Sequence, residues 1–295
     1  MKVFRGLIVA LFFIGFGILA YPVVSNEWNQ YRQNQLIASY ENSMSELEEA
    51  DYSEYRAAAE EFNSTITSNN IYSDVFGEDD EESFLESDYY NVLNINGDGI
   101  MGYLSIPKIN VKLSIYHGTS ESVLQTGLGH LNGTSLPIGG SSNHAVIAGH
   151  RGLPNCELFT NIDQLEIGDM FYIHILGETL AYEVDQILPM VEADDMDTLS
   201  EALAIEEGKD YVTLFTCTPY GVNTHRLLVR GTRVEYLGED EVATGAEAVI
   251  ETARDYYMII FICALILVLI LIYIISRISK NKAKKVEEIS EKSEI

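Results

Sequence analysis

The longest apolar runs sit at the two ends of the chain, and short ones separated by turns fill the middle. Residues 7–20, continuing to Val24, are almost wholly apolar. Residues 256–275 read YYMIIFICALILVLILIYII, twenty positions without a charge. At about 1.5 Å per residue this second run spans the roughly 30 Å hydrocarbon core of a bilayer. It has no polar stripe, so a transmembrane helix is the better reading than a helix buried in a soluble core.

Arg277, Lys280, Lys282, Lys284 and Lys285 follow the second run, and this basic flank marks the cytoplasmic side. Lys2 and Arg5 precede the first run, which is a signal anchor or a cleaved signal peptide. Tyr21-Pro22 is a poor small-residue cleavage site and favours the anchor. Both readings put residues 25–255 on the extracellular face of a cell membrane.

Between the runs the pattern changes twice. Residues 26–68 lack Pro and Gly, and Leu36, Tyr40, Met44, Leu47, Tyr55 and Phe62 recur at helix-like intervals. One or two helices are expected there. Residues 69–88 hold the run Glu78-Asp79-Asp80-Glu81-Glu82, whose like charges repel, and read as a loop. After the turn signal Asn96-Gly97-Asp98-Gly99, β-branched and aromatic runs alternate with turns at 101–106, 111–117, 144–149, 170–176, 180–187, 211–217 and 226–236. This predicts an all-β barrel or sandwich with helical inserts at 121–131 and 157–165. The expected organisation is an N-terminal anchor or signal peptide (1–24), a helical annex (25–89), a β-domain (90–238), a polar tether (239–255), a transmembrane helix (256–275) and a basic cytoplasmic tail (276–295).

Charge sharpens the picture. Of 295 residues, 45 are acidic and 18 basic, a net charge of -27. Residues 25–255 hold 41 of the acidic residues and only 10 of the basic ones. Such a surface excludes a nucleic-acid binder, because phosphates need basic groups. Three cysteines exclude a disulfide scaffold.

Candidate chemistry lies at strand ends. Cys217 closes the run 211–217 just before the turn Thr218-Pro219-Tyr220-Gly221, where a side chain is well placed to meet a substrate. A buried structural cysteine is the plain alternative, and a Cys156–Cys217 disulfide would abolish thiol chemistry. Arg226 opens the next strand, so a hairpin would bring it near Cys217, where a guanidinium could stabilise a thiolate or an oxyanion. His150 ends the run Ala145-Val146-Ile147-Ala148-Gly149, and an imidazole titrates in the range that a leaving amine needs. His117, His130, His144 and His174 look structural, and His225 is at most a minor contributor. Zinc held by His150, Cys217 and His225 lacks a close ligand pair at a diagnostic spacing. Cys263 lies within the second apolar run and is read as packing.

Three segments together resemble a known family. They are the nonapeptide from His144 to Gly152 (HAVIAGHRG), Thr213-Leu214-Phe215-Thr216-Cys217-Thr218-Pro219-Tyr220, and the nonapeptide from Asn223 to Gly231 (NTHRLLVRG). In this order they are similar to the signatures of sortases, and most closely to class C, the pilin-polymerising sortases of Gram-positive bacteria. The resemblance covers about residues 90–237. It implies a closed eight-stranded sortase-type β-barrel, with Cys217 as nucleophile, His150 as general acid/base and Arg226 as the orienting and oxyanion-stabilising group. It implies no cofactor. The implied partners are LPXTG-type pilin proteins, both as peptide substrates and as lysine acceptors, and membrane lipid through both termini.

Class C enzymes also carry a lid with an Asp-Pro-aromatic motif. Here Asp74 and Phe76 match within a loop at about 72–78, while Val75 stands in place of proline and leaves the loop less rigid. A plain acidic loop is the alternative. Two other functions are carried forward: a housekeeping sortase that attaches proteins to cell-wall peptide, and a non-catalytic surface scaffold.

Overall fold

The β-branched and aromatic runs of the middle segment form eight strands. They are β1 (Ile100–Ile106), β2 (Val111–His117), β3 (Leu128–His130), β4 (Asn143–Ala148), β5 (Met170–Ile175), β6 (Glu178–Glu192), β7 (Asp210–Thr218) and β8 (His225–Val234). They close into a barrel in the order β1-β2-β3-β4-β7-β8-β6-β5. The computed structural model describes residues 2–66, 87–238 and 240, with scattered helical positions between 264 and 277.

The chain divides into two compact units, residues 1–24 with 244–295, and residues 25–243. In the first unit the N-terminal apolar run is helical, with Leu11, Phe13, Ile14 and Ile18 exposed. Among the described residues one helix is long and apolar enough to cross a membrane. The second span predicted at 256–275 lies for the most part outside the described residues, as do the tether and the tail.

The helix does not stop where the apolar run does. α1 (Lys2–Glu46) continues through Pro22 to the end of the predicted annex helix. No stop signal lies between them, since residues 25–46 contain neither Gly nor Pro. α2 (Glu49–Thr65) follows, its first turn closed by reciprocal contacts between Glu48 and Asp51.

In the second unit both helices pack on the barrel. Ile37, Tyr40 and Met44 of α1 bury against Ile100 and Tyr103 of β1. Gln33, 3% exposed, accepts from the Ser114 amide at 2.9 Å and donates to Thr126 O at 2.5 Å. β2 pairs with β3 only over Ile115–His117, so this side chain supplies the partner that the ladder does not give Ser114. Asn63 of α2 pairs in the same way with both backbone groups of Leu136.

The barrel has two apolar layers. Its interior holds alternate residues, among them Ala145 and Ile147 of β4, Val212 and Leu214 of β7, and Leu227 and Val229 of β8. The residues between them form a second layer on the outer face of these three strands: Val146, Ala148, Phe215 and Leu228. α3 (Asp88–Asn91) lies at the entry to the barrel, and two short helices cover this outer layer. They are α4 (Glu121–Leu124), through Leu124, and α5 (Met196–Ala202), through Leu199.

The two predicted inserts differ from expectation. Only 121–124 of the insert 121–131 is helical, and Leu128–His130 forms β3, parallel to β2. Leu124, Leu128 and Leu131 stand at helical spacing but belong to different elements. At Gly129 a Cβ would lie 2.2 Å from Gly118 O, and the absence of a side chain lets the two backbones meet. The insert 157–165 is a set of turns with one 3-10 turn at Ile162–Gln164.

Candidate active site

Three neighbouring strands bring the candidate residues into one row. β4 and β7 run parallel with Ala148 opposite Phe215, and Gly149 N still donates to Phe215 O at 3.1 Å beyond the end of β4. Thr216 Oγ1 donates to Gly149 O at 2.6 Å. The same register, carried two residues further, sets His150 level with Cys217. On the other side Cys217 is the register partner of Arg226 in the β7–β8 hairpin. Adjacent strands stand about 4.8 Å apart, so the backbone positions that carry imidazole, thiol and guanidinium lie side by side across three strands.

Alternation decides the face. Cys217 follows Phe215 by two, Arg226 precedes Leu228 by two, and both partners belong to the outer layer. The row therefore lies on the outer face of the barrel, at the rim of an apolar layer. Cys217 is 8% exposed and Arg226 5%, while the His150 side chain is 18% exposed. Arg226 Nη1 donates to Asn223 O at 3.1 Å and His225 O at 3.0 Å, which holds the fork against the hairpin turn. Asn223 sits in the left-handed region at φ 61°, a conformation that asparagine tolerates well in turns.

On the opposite side of the sheet a second tie joins the same two strand ends. Arg151 Nη1 donates to Thr218 Oγ1 at 3.1 Å, and Nη2 pairs with Asp163. The residue after the histidine thus grips the residue after the cysteine. The sequence offered no sign of this pair, because its partners are 67 and 12 residues from Arg151. His150 Nε2 also faces Glu121 Oε2 at 3.2 Å, a contact across 29 residues with no motif to announce it.

Cys156 and Cys217 are not joined by a disulfide. Burial pushes the Cys156 thiol up to about 11, which leaves it a poor nucleophile at neutral pH.

Four histidines are structural. His130 Nε2 donates to Ser135 O (2.8 Å) while its Nδ1 meets Tyr89 Oη (2.8 Å), and burial lowers it to about 3. His174 stacks on Tyr103 at 4.2 Å and burial lowers it to about 4. His144 bridges Ala204 O and Thr213 Oγ1, and His117 lies between Gly99 O and Val92 O; burial lowers both. His225 adjoins the row but is the register partner of Glu192, facing away from Arg226. Asp74 and Phe76 lie outside the described residues.

A family model described as the sortase domain matches residues 104–234, the stretch that carries all three row residues. The crystal structure of sortase C1 from Streptococcus agalactiae is 48% identical, with a TM-score of 0.61, and the match covers 68% of this chain and 99% of that one.

The chain belongs to the sortase family.

A second structure, sortase C of Streptococcus pneumoniae, is 42% identical over 68% of this sortase and 97% of that chain, with a TM-score of 0.60. Its reported structure addresses catalysis as well as pilin substrate specificity. Both of these structural relatives are class C sortases. Among curated proteins, sortase SrtE1 of Streptomyces coelicolor is 32% identical over 141 residues, 45% of this chain and 40% of that protein. This sortase spans about half the length of the curated relatives it matches, from 40% to 61%.

Proposed function

We propose that this sortase is a membrane-anchored cysteine transpeptidase that polymerises pilins. Its substrate is an LPXTG-type sorting signal, cleaved between Thr and Gly, and its acceptor is a lysine amine of the next subunit. The observation that carries this reading is the single row of His150, Cys217 and Arg226 on the outer face of β4, β7 and β8.

The chemistry follows from the three groups. The Cys217 thiolate attacks the threonine carbonyl carbon, and the carbonyl oxygen takes up the negative charge. Arg226 donates to that oxyanion. As the tetrahedral species collapses, the C–N bond breaks and His150 gives its proton to the departing glycine amine. A thioester on Cys217 remains. The lysine amine then attacks it and loses a proton to His150. The new amide forms and the thiolate leaves.

The N-terminal apolar helix supports anchorage in a membrane, and the positive flank after residue 275 supports a cytoplasmic C-terminal tail. An anchored enzyme meets substrates held in the same membrane. Asp74 and Phe76 enter the reading as a lid on the strength of the sequence resemblance alone.

The deciding experiment incubates the purified full chain in detergent with a pilin subunit that carries an intact sorting signal and its acceptor lysine. A ladder of covalent multimers, lost in Cys217→Ala, is expected. Attachment only to short amine peptides supports cell-wall anchoring instead. An unchanged ladder in Cys217→Ala would refute the thiol mechanism.

A further inference from the structure

A carboxylate touches the imidazole from outside the row. Glu121 Oε2 lies 3.2 Å from His150 Nε2. Its other oxygen accepts from Gln125 Nε2 at 2.8 Å, one helical turn on. Both carboxylate oxygens are therefore engaged, one to hold Glu121 and one to meet the ring.

Glu121 stands on a short capped turn. It is the first residue of α4, whose turn is closed by the Ser120 side chain accepting from Val123 N. Leu124 of the same turn is 1% exposed and packs in the outer layer with Ala148 and Phe215. Ala148 lies two residues before His150, and Phe215 two before Cys217. The carboxylate is thus seated on the two strands that carry the acid and the nucleophile.

An ionised carboxylate only accepts, so the ring nitrogen facing it carries the hydrogen. Nε2–H then points at Glu121, and Nδ1, the other ring nitrogen, carries the lone pair of the neutral ring. We propose that Glu121 is a positioning residue: it holds His150 in the Nε2–H tautomer and in one ring orientation, so that Nδ1 serves as the acid toward the leaving amine and the base toward the incoming one. Carboxylates orient metal-bound histidines by the same contact. The proposal rests on the thiol mechanism above for its kinetic consequence, but the tautomer can be observed without turnover.

The size of the effect is bounded by exposure. The Glu121 side chain is 67% exposed, so water competes for the contact. Glu121→Ala should lower kcat for an LPXTG-type peptide about two- to fivefold and leave KM unchanged. Glu121→Gln keeps an acceptor oxygen and should recover part of the loss.

The second readout is the ring nitrogen spectrum of the full chain with 15N-labelled histidine, assigned against His150→Gln. At mildly alkaline pH the wild type should show Nε2–H, and Glu121→Ala a mixture of both tautomers. Identical tautomer populations in the two proteins would overturn the proposal. So would a wild-type kcat retained in Glu121→Ala, or a loss confined to KM. A wild type inactive on the peptide would instead sink the functional reading, and the tautomer measurement would still decide the contact.

Discussion

At the scale of single residues, the site depends on groups whose neighbours hold them in one pose. Arg226 shows why residue type matters more than charge. One arm of its fork is tied to the carbonyls of Asn223 and His225, and the residue is 5% exposed. An ammonium on a flexible stem cannot keep that tie and also present a donor to an oxyanion. Arg226→Lys should lower kcat/KM for the sorting-signal peptide by about 10²-fold or more, as the loss of one oxyanion donor does elsewhere. Turnover within a few-fold of wild type would remove Arg226 from that role.

At the scale of elements, the annex helices act as parts of the barrel wall. Gln33 fills the gap that the short β2–β3 pairing leaves, and Tyr40 bridges Met101 O and Leu176 N at 3.1 and 3.0 Å. Gln33→Ala should strand a buried amide and a partly buried carbonyl and cost about 1–3 kcal/mol. The check is a lower unfolding midpoint together with faster hydrogen exchange at the Ser114 amide. A midpoint that stays put would mean that water replaces the side chain. The proposed lid belongs to this scale as well. Removing the ring in Phe76→Ala should raise the rate at which a bulky thiol reagent labels Cys217. An equal rate in the two proteins would leave residues 72–78 as a plain acidic loop.

For the whole molecule, two consequences follow from where charge is kept. His117, His130, His144 and His174 are all lowered by burial, His174 to about 4 and His130 to about 3. The unfolded chain therefore binds protons that the folded chain refuses. Stability is complete above the ordinary histidine value of about 6.5 and declines as pH falls toward the folded values, by up to about 1.4 kcal/mol per pH unit for each group. Thermal unfolding of the full chain in detergent should show a midpoint that drops between pH 6.5 and 5, and a flat profile would contradict the burial of these rings. The second consequence concerns orientation. With 41 acidic residues in 25–255 and a basic flank after 275, external protease should digest the β-domain of intact protoplasts. It should spare a tag fused after Ile295, and cleavage of that tag would reverse the orientation.

Much of this protein could be read from the chain alone. Alternating β-branched runs announced seven of the eight strands because a strand with one face on a core repeats every two residues. The placement of Cys217, His150 and Arg226 at strand ends was legible because each ends or opens such a run within a recognisable segment. β3 was not, since its three residues share a leucine spacing with a helix and depend on a backbone contact between Gly129 and Gly118. The unbroken α1 was missed because hydropathy marks the end of an apolar run and is blind to whether the helix continues. The supporting contacts were hidden for a deeper reason. Glu121 reaches His150 across 29 residues and Arg151 reaches Thr218 across 67, and neither pair leaves a local pattern. Periodicity is written residue by residue, whereas which strand ends meet, and which face they share, is settled only when the barrel closes.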